Sequence, residues 1–160
     1  MVRHTPRVLV VDDLHDAADS LATLLTICGF DCEAHYSGES ALAGARRRRP
    51  DIVLLDLHMP KMNGFELIRR LRDASGCSQT AIIIISGLDV PASRANAREL
   101  GIAHYLTKPV ELGRLLETMG KLLDVDGHEP TAHTAQMKAA IARARRVDQN
   151  LDVWLVEHSP

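Results

Sequence analysis

The stretch Ile52-Val53-Leu54-Leu55-Asp56 decides the fold of this chain. Its apolar part includes two β-branched residues and follows Pro50-Asp51, which is typical of a central strand buried on both faces. An acidic residue then ends the run. In open α/β sheets, ligands bind in the crevice outside the carboxyl ends of the strands. The sequence therefore indicates a functional carboxylate at Asp56.

A regular alternation of strand and helix extends from this run in both directions. Apolar runs predict strands at 7–11, 30–35, 52–56, 81–86 and 103–106. Periodic apolar positions predict helices at 14–28, 37–48, 91–100 and 111–123, and Asn63 is expected to cap one more, between the third and fourth strands. Five strand–helix units with short connections predict an α/β fold with a doubly wound parallel sheet and right-handed crossovers.

Composition limits the class of protein. With 160 residues, 46% of them hydrophobic and 25% charged, the chain fits one globular domain with a short appendage. A net charge of -2 favours neither nucleic-acid nor membrane binding, and no stretch approaches the roughly 18 apolar residues that a membrane span needs. Three cysteines without a framework spacing fit a reducing compartment, so we expect a cytoplasmic protein.

Polar residues fall where the predicted strands end. Asp12 and Asp13 follow the first strand, Asp56 the third, Ser86 the fourth and Lys108 the fifth. Because the carboxyl ends of parallel strands all lie at the same edge of the sheet, these side chains should converge. Three converging carboxylates would repel one another unless a hard cation such as Mg²⁺ binds there. With the ammonium and the hydroxyl they form a phosphoryl-transfer set, in which Asp56 is the in-line nucleophile.

Four motifs then carry a resemblance to a known family. In chain order they are Val8-Leu9-Val10-Val11-Asp12-Asp13, Leu54-Leu55-Asp56-Leu57-His58-Met59-Pro60-Lys61-Met62-Asn63-Gly64, Ile84-Ile85-Ser86-Gly87 and Leu106-Thr107-Lys108-Pro109. In order and spacing they resemble the CheY-like receiver domains of bacterial response regulators, over about residues 6 to 124. The resemblance implies a flavodoxin-like sheet of five parallel strands in the order 2-1-3-4-5, with five helices.

The resemblance also implies roles for individual residues. Asp56 would be the phosphoacceptor, and Lys108 would pair with the phosphoryl group. Asp12, Asp13, Asp56 and the backbone carbonyl of His58 would hold Mg²⁺.

Four further expectations concern the groups around the phosphoacceptor. Ser86 would move to bond the phosphoryl group, and Tyr105 would swing inward as the aromatic half of a switch. The peptide bond before Pro109 would be cis, which proline permits at small cost. His58 stands at a position that varies in the family and at which the side chain tunes the lifetime of the phosphate. The alternative interpretation of His58 is an exposed loop histidine without such a role.

The function that follows from the resemblance is a phosphorylation-dependent switch in a two-component or phosphorelay pathway. A sensor histidine kinase or a histidine phosphotransfer protein would supply the phosphoryl group, an unknown protein would be the target, and the domain would catalyse only its own phosphorylation and dephosphorylation. Two alternatives stay open. One is a Mg²⁺-dependent phosphohydrolase with an aspartyl nucleophile, although His58 stands where such enzymes carry a second aspartate. The other is an interaction module that works without phosphorylation.

The predicted organisation is a receiver domain at 1–125, a linker at 126–133 and an amphipathic helical tail at 134–160. Seven apolar residues of the tail lie close to one helical stripe; they are Met137, Ile141, Ala144, Val147, Leu151, Trp154 and Leu155. Such a stripe must be buried on the receiver domain, in a homodimer or on a partner. Too few residues remain for a usual DNA-binding module, so we expect no direct DNA binding. The run Arg46-Arg47-Arg48-Arg49 is interpreted as a solvated helix end.

Overall fold

A computed structural model of the protein describes residues 5–124 and the isolated positions 139 and 142. Within 5–124 the elements alternate in the predicted way. The strands are β1 (Arg7–Val11), β2 (Asp31–His35), β3 (Ile52–Leu55), β4 (Ala81–Ser86) and β5 (His104–Thr107). The helices are α1 (His15–Ile27), α2 (Gly38–Arg47), α3 (Gly64–Asp73), α4 (Pro91–Glu99) and α5 (Leu112–Asp124). All strand pairs are parallel, in the order β2-β1-β3-β4-β5, which confirms the predicted fold class.

The sheet separates two apolar cores. Successive residues of a strand point to opposite faces, so Leu9 and Val11 belong to one core and Val8 and Val10 to the other. Helices α2, α3 and α4 cover the first face, and α1 and α5 cover the second. Because the central strands are covered on both faces, every position of β3 is apolar and buried.

Helix starts follow local hydrogen bonding. Asn63 caps α3 through a bond from the Glu66 amide to its side chain (3.0 Å), as predicted. Ser37 caps α2 in the same way, with Ser40 as the donor (3.2 Å). Other boundaries lie within a residue or two of the prediction. The third strand, for example, ends one residue before Asp56, although the Asp56 amide still donates to the Val11 carbonyl (3.0 Å).

The arginine run at the end of α2 is more engaged than the sequence suggested. Arg47 and Arg48 are exposed, and they pair with Glu33 and Asp31 of β2. Arg7 is almost fully buried, bonds the same Glu33 carboxylate and also donates to the Arg48 carbonyl. This network ties the edge strand β2 to α2, so the run is a structural element as well as a solvated helix end.

Two predicted segments, the linker and the tail helix, lie largely outside the residues that the structure describes. The predicted linker at 126–133 lies outside them, as does the tail helix at 134–160 apart from Ala139 and Ala142, which are helical and exposed. Within the described part of the chain, no helix has the length and apolar character needed to cross a membrane.

Candidate functional site

Four strands deliver polar groups to one edge of the sheet. Asp12 follows β1, Asp56 follows β3, Ser86 ends β4 and Lys108 follows β5. The Lys108 ammonium donates to Asp12 Oδ2 (3.0 Å) and to Asp56 Oδ2 (3.2 Å). The two carboxylates are 7% and 9% exposed, so these contacts form in a largely buried setting. The convergence expected from the strand ends is confirmed for Asp12, Asp56 and Lys108.

Asp13 completes an acidic cluster with Asp12 and Asp56. Each of the three side chains offers one carboxylate oxygen, and these oxygens lie within 4.8 Å of one another. Hard carboxylate oxygens at this separation suit Mg²⁺, which binds one or two carboxylates together with water and phosphate oxygens. Three carboxylates beside the Lys108 ammonium leave two uncompensated negative charges, which one divalent cation would neutralise. The residues therefore fit the metal.

Each of the two buried carboxylates divides its oxygens between the backbone and the ammonium. Asp12 Oδ1 accepts a hydrogen bond from the Leu14 amide (3.0 Å) just before α1, and Asp56 Oδ1 accepts one from the His58 amide (3.0 Å). The second oxygen of each faces Lys108. Backbone donors thus fix both carboxylates in orientation before any ligand arrives.

The electrostatics of Lys108 favour its charged form. Burial by itself would lower the pKa of this ammonium, but the charges and hydrogen-bond acceptors of Asp12 and Asp56 outweigh burial and raise the pKa above its usual value. Next to the cluster lies an apolar cavity of about 60 Å³, whose walls include Leu54 and Leu115. An apolar wall lowers the local dielectric, which strengthens the interactions among these charges.

Ser86 and the His58 side chain meet on the other side of Asp56. The Ser86 hydroxyl is fully buried, lies 3.3 Å from His58 Nδ1 and accepts from the Leu88 amide (3.3 Å). The imidazole is 53% exposed, and its Nδ1 is 3.9 Å from Asp56 Oδ1. Sequence reasoning missed this bridge, because it joins the loop after β3 to the last residue of β4. The backbone carbonyl of His58 stays a predicted metal ligand.

Tyr105 occupies an inward position on β5. Its side chain is 9% exposed, and its hydroxyl donates to the Leu88 carbonyl (2.7 Å). The guanidinium of Arg94, from α4, lies over its ring at 4.7 Å from the centroid. Arg94 also pairs with Asp89, and this hydrogen bond lowers the pKa of the Asp89 carboxyl. Nothing in the sequence singled out Arg94, because its ring contact is with a different element.

The backbone around the site is shaped by two special positions. The Lys108–Pro109 peptide bond is cis, as predicted, and the Lys108 amide donates to the Ser86 carbonyl (2.8 Å). Gly64, the first residue of α3, packs against the backbone that follows Asp56, where a Cβ atom would meet the Leu57 Cα at 2.8 Å. A side chain at this position would displace the loop that carries the site.

Comparisons with known proteins agree with this geometry. A family model described as the response regulator receiver domain matches residues 8–120. The protein PilH of Pseudomonas aeruginosa is 33% identical over 117 residues, which cover 73% of this chain and 97% of PilH. The response regulator PleD of Caulobacter vibrioides is 37% identical over 105 residues, or 66% of this chain, but the match spans only 23% of PleD. The crystallised chemotaxis protein CheY4 of Vibrio cholerae has a TM-score of 0.71 at 28% identity, over 74% of this chain and 99% of CheY4.

Proposed function

Because this chain belongs to the response regulator receiver domains, which are phosphorylation-dependent signalling switches of two-component systems, we propose that Asp56 is its phosphoacceptor. The observation that carries the proposal is the position of this carboxylate between the Lys108 ammonium and the pair formed by His58 and Ser86. Lys108 contacts one of its oxygens, and the pair formed by His58 and Ser86 lies beside the other. Asp12 shares the ammonium, and each carboxylate also accepts one backbone hydrogen bond, so the neighbouring His58–Ser86 pair is what distinguishes Asp56.

Four groups would hold Mg²⁺ at this site. They are the carboxylates of Asp12, Asp13 and Asp56 and the backbone carbonyl of His58. When bound, the ion neutralises charge on the phosphoryl oxygens. The three carboxylate oxygens that lie within 4.8 Å of one another support this assignment.

The proposed reaction is a phosphoryl transfer between a histidine and an aspartate. A carboxylate oxygen of Asp56 attacks the phosphorus atom, an O–P bond forms, and the bond from phosphorus to the donor's imidazole nitrogen breaks. The leaving imidazole keeps the electron pair of that bond. Lys108, held in its charged form, stabilises negative charge on the phosphoryl oxygens, and the Ser86 hydroxyl donates a hydrogen bond on the opposite side.

The partners follow from this chemistry. Receiver domains interact with histidine kinases or phosphotransfer proteins, and a sensor histidine kinase or a histidine phosphotransfer protein is proposed as the donor here. We place the protein in the cytoplasm, with a downstream protein as its target and without direct contact to DNA or membrane. The domain would catalyse only its own phosphorylation and dephosphorylation. The tail at 134–160 would be buried on the receiver domain, with a homodimer as the alternative.

Intact-mass measurement after incubation with acetyl phosphate and Mg²⁺ tests the phosphoacceptor. The wild type should gain one phosphoryl group that hydroxylamine removes, since hydroxylamine cleaves acyl phosphates. Asp56→Asn should gain none, whereas Asp73→Asn, which changes an exposed aspartate of α3, should behave as the wild type. Labelling of Asp56→Asn would contradict the proposal. Steady multiple turnover of phosphate monoesters by the wild type would favour a phosphohydrolase.

A further inference from the structure

The guanidinium of Arg94 contacts three other residues of the chain. It donates to both carboxylate oxygens of Asp89, in the loop before α4, with Nη2 to Oδ2 at 3.0 Å. Its Nη2 also lies 3.5 Å from the Thr107 hydroxyl at the end of β5. Its carbon atom Cζ lies over the ring of Tyr105 at 4.7 Å from the centroid. One side chain therefore joins the loop after β4, helix α4 and strand β5.

The geometry of an arginine explains why these contacts act together. A guanidinium is planar, donates hydrogen bonds in its plane and stacks on aromatic rings through its face. The bonds to Asp89 lie along its edge and fix the orientation of the plane. Once the plane is fixed, its face stays over the ring of Tyr105. A compact lysine ammonium would not provide both contacts from one rigid group.

The ring of Tyr105 is also held at its far end. Its hydroxyl donates to the Leu88 carbonyl (2.7 Å), and the Leu88 amide donates to the Ser86 hydroxyl (3.3 Å). Leu88 is itself 54% exposed, so its backbone, and not its side chain, fixes this loop. An outward movement of the ring would break the bond to Leu88 and the contact with Arg94 together. The position of Tyr105 is thereby coupled to the loop that begins at Ser86.

We propose that Arg94 is a positioning residue. Asp89 orients its guanidinium, which holds Tyr105 inward and thereby fixes the loop of residues 87–90 beside Ser86. The proposal rests on the proposed function, because it assigns to these residues the coupling between the Asp56 site and the face formed by α4 and β5. Arg94 contacts neither Asp56 nor Lys108, so it acts on the loop and not on the phosphoryl chemistry. The competing view is an ordinary surface ion pair, which would leave Tyr105 unaffected.

The test measures the exposure of Tyr105 directly. The full chain contains two tyrosines, so protein labelled with 3-fluorotyrosine gives two ¹⁹F resonances, which the Tyr36→Phe variant assigns. The solvent isotope shift between H₂O and D₂O reports the exposure of each ring, and Tyr36 serves as an internal control. The variant is Arg94→Met, and Arg98→Met is its matched control, because Arg98 is an exposed arginine on the same helix.

In Arg94→Met the outward population of Tyr105 should rise about two- to fivefold, the range expected for the loss of one cation–π contact at a partly exposed site. Tyr36 should be unchanged, and Arg98→Met should match the wild type. Asp89→Asn should shift Tyr105 in the same direction by a smaller amount. An unchanged Tyr105 in Arg94→Met overturns the proposal, and an unchanged Tyr105 in Asp89→Asn removes Asp89 from it.

Acetyl phosphate labelling separates this proposal from the proposed function. Arg94→Met should take up the phosphoryl group within about twofold of the wild-type rate, since a surface substitution outside the site leaves the catalytic groups in place. If the wild type is not labelled at Asp56, the proposed function fails while the Tyr105 measurement still stands. If Arg94→Met loses labelling altogether, Arg94 belongs to the reaction itself and its assignment as a positioning residue is overturned.

Discussion

Alanine at Gly64 should damage both the fold and the site, whereas alanine at Gly87 should not. The first residue of α3 lies so close to the preceding loop that an added Cβ atom would be 2.8 Å from the Leu57 Cα and 3.0 Å from the Asp56 carbonyl oxygen. Both are backbone atoms, so a rotamer change cannot relieve the overlap. The loop must move, and the loop carries Asp56.

The magnitude follows from two opposing terms. Inserting a methyl group into a tightly packed site costs typically about 1–3 kcal/mol. Replacing glycine restricts the unfolded chain and returns about 0.4–1 kcal/mol where the backbone permits it. For Gly64→Ala we therefore expect a net loss of up to about 2.5 kcal/mol in the free energy of unfolding. Among the described residues, apart from its chain neighbours, no heavy atom lies within 4 Å of the position that a Cβ at Gly87 would take, so Gly87→Ala should be neutral or more stable by up to about 1 kcal/mol.

Urea unfolding followed by far-UV circular dichroism measures the difference between the two variants, which should be about 1–3 kcal/mol in favour of Gly87→Ala. Acetyl phosphate labelling provides a second readout. Gly64→Ala should take up the phosphoryl group more slowly, because the displaced loop moves the carboxylate of Asp56 away from Lys108. Equal unfolding free energies for the two variants would refute the argument, since they would mean that the loop relaxes without cost.

Three further predictions concern charge, pH and a buried hydroxyl. Lys108→Ala should slow phosphoryl uptake about 10²-fold, as for the loss of one preorganised donor. Its Mg²⁺ affinity, measured by calorimetry, should be retained or increased, because a competing cation is gone. Lys121→Ala, which removes an exposed lysine, is the control. Burial lowers the pKa of His35 from its ordinary 6.5, so the unfolding free energy should be fully retained above pH 6.5 and should decline below it, and His35→Gln should flatten that decline. Thr80→Val should lose about 1 kcal/mol in thermal or urea unfolding, because the buried hydroxyl donates to the Pro50 carbonyl (3.1 Å) and valine cannot.

The fold and the approximate position of the site could be predicted because both depend on local signals. A run such as Ile52–Leu55 marks a doubly covered strand by its apolar residues alone. The residue after such a strand must lie at the carboxyl edge of the sheet, so the sequence alone predicts that Asp56 and Lys108 meet. The Asn63 cap was recognisable for the same reason, since its acceptor and donor lie three residues apart.

Contacts between distant segments could not be predicted in this way. Arg7 and Glu33 meet because β1 pairs with β2 in one particular register, and the sequence does not state that register. Glu33 in turn accepts from Arg47, so a run that looked only solvated is part of a network. The stacking of Arg94 on Tyr105 is a further case, because it depends on how α4 is rotated against β5.

The acidic residues of the site also accept hydrogen bonds from the backbone around it. A change in the charge of these carboxylates therefore acts directly on the conformation of that backbone. Asp12 Oδ1 accepts a hydrogen bond from the amide of Leu14, the residue that directly precedes α1. Asp56 binds the His58 amide, and its carbonyl lies against Gly64 at the start of α3. A phosphoryl group on Asp56 would be bonded to one of its two carboxylate oxygens and would leave the other as a carbonyl oxygen, so the bonds that these oxygens now make with Lys108 and the His58 amide would change. The loops held by those bonds would therefore respond first, before the sheet or the cores.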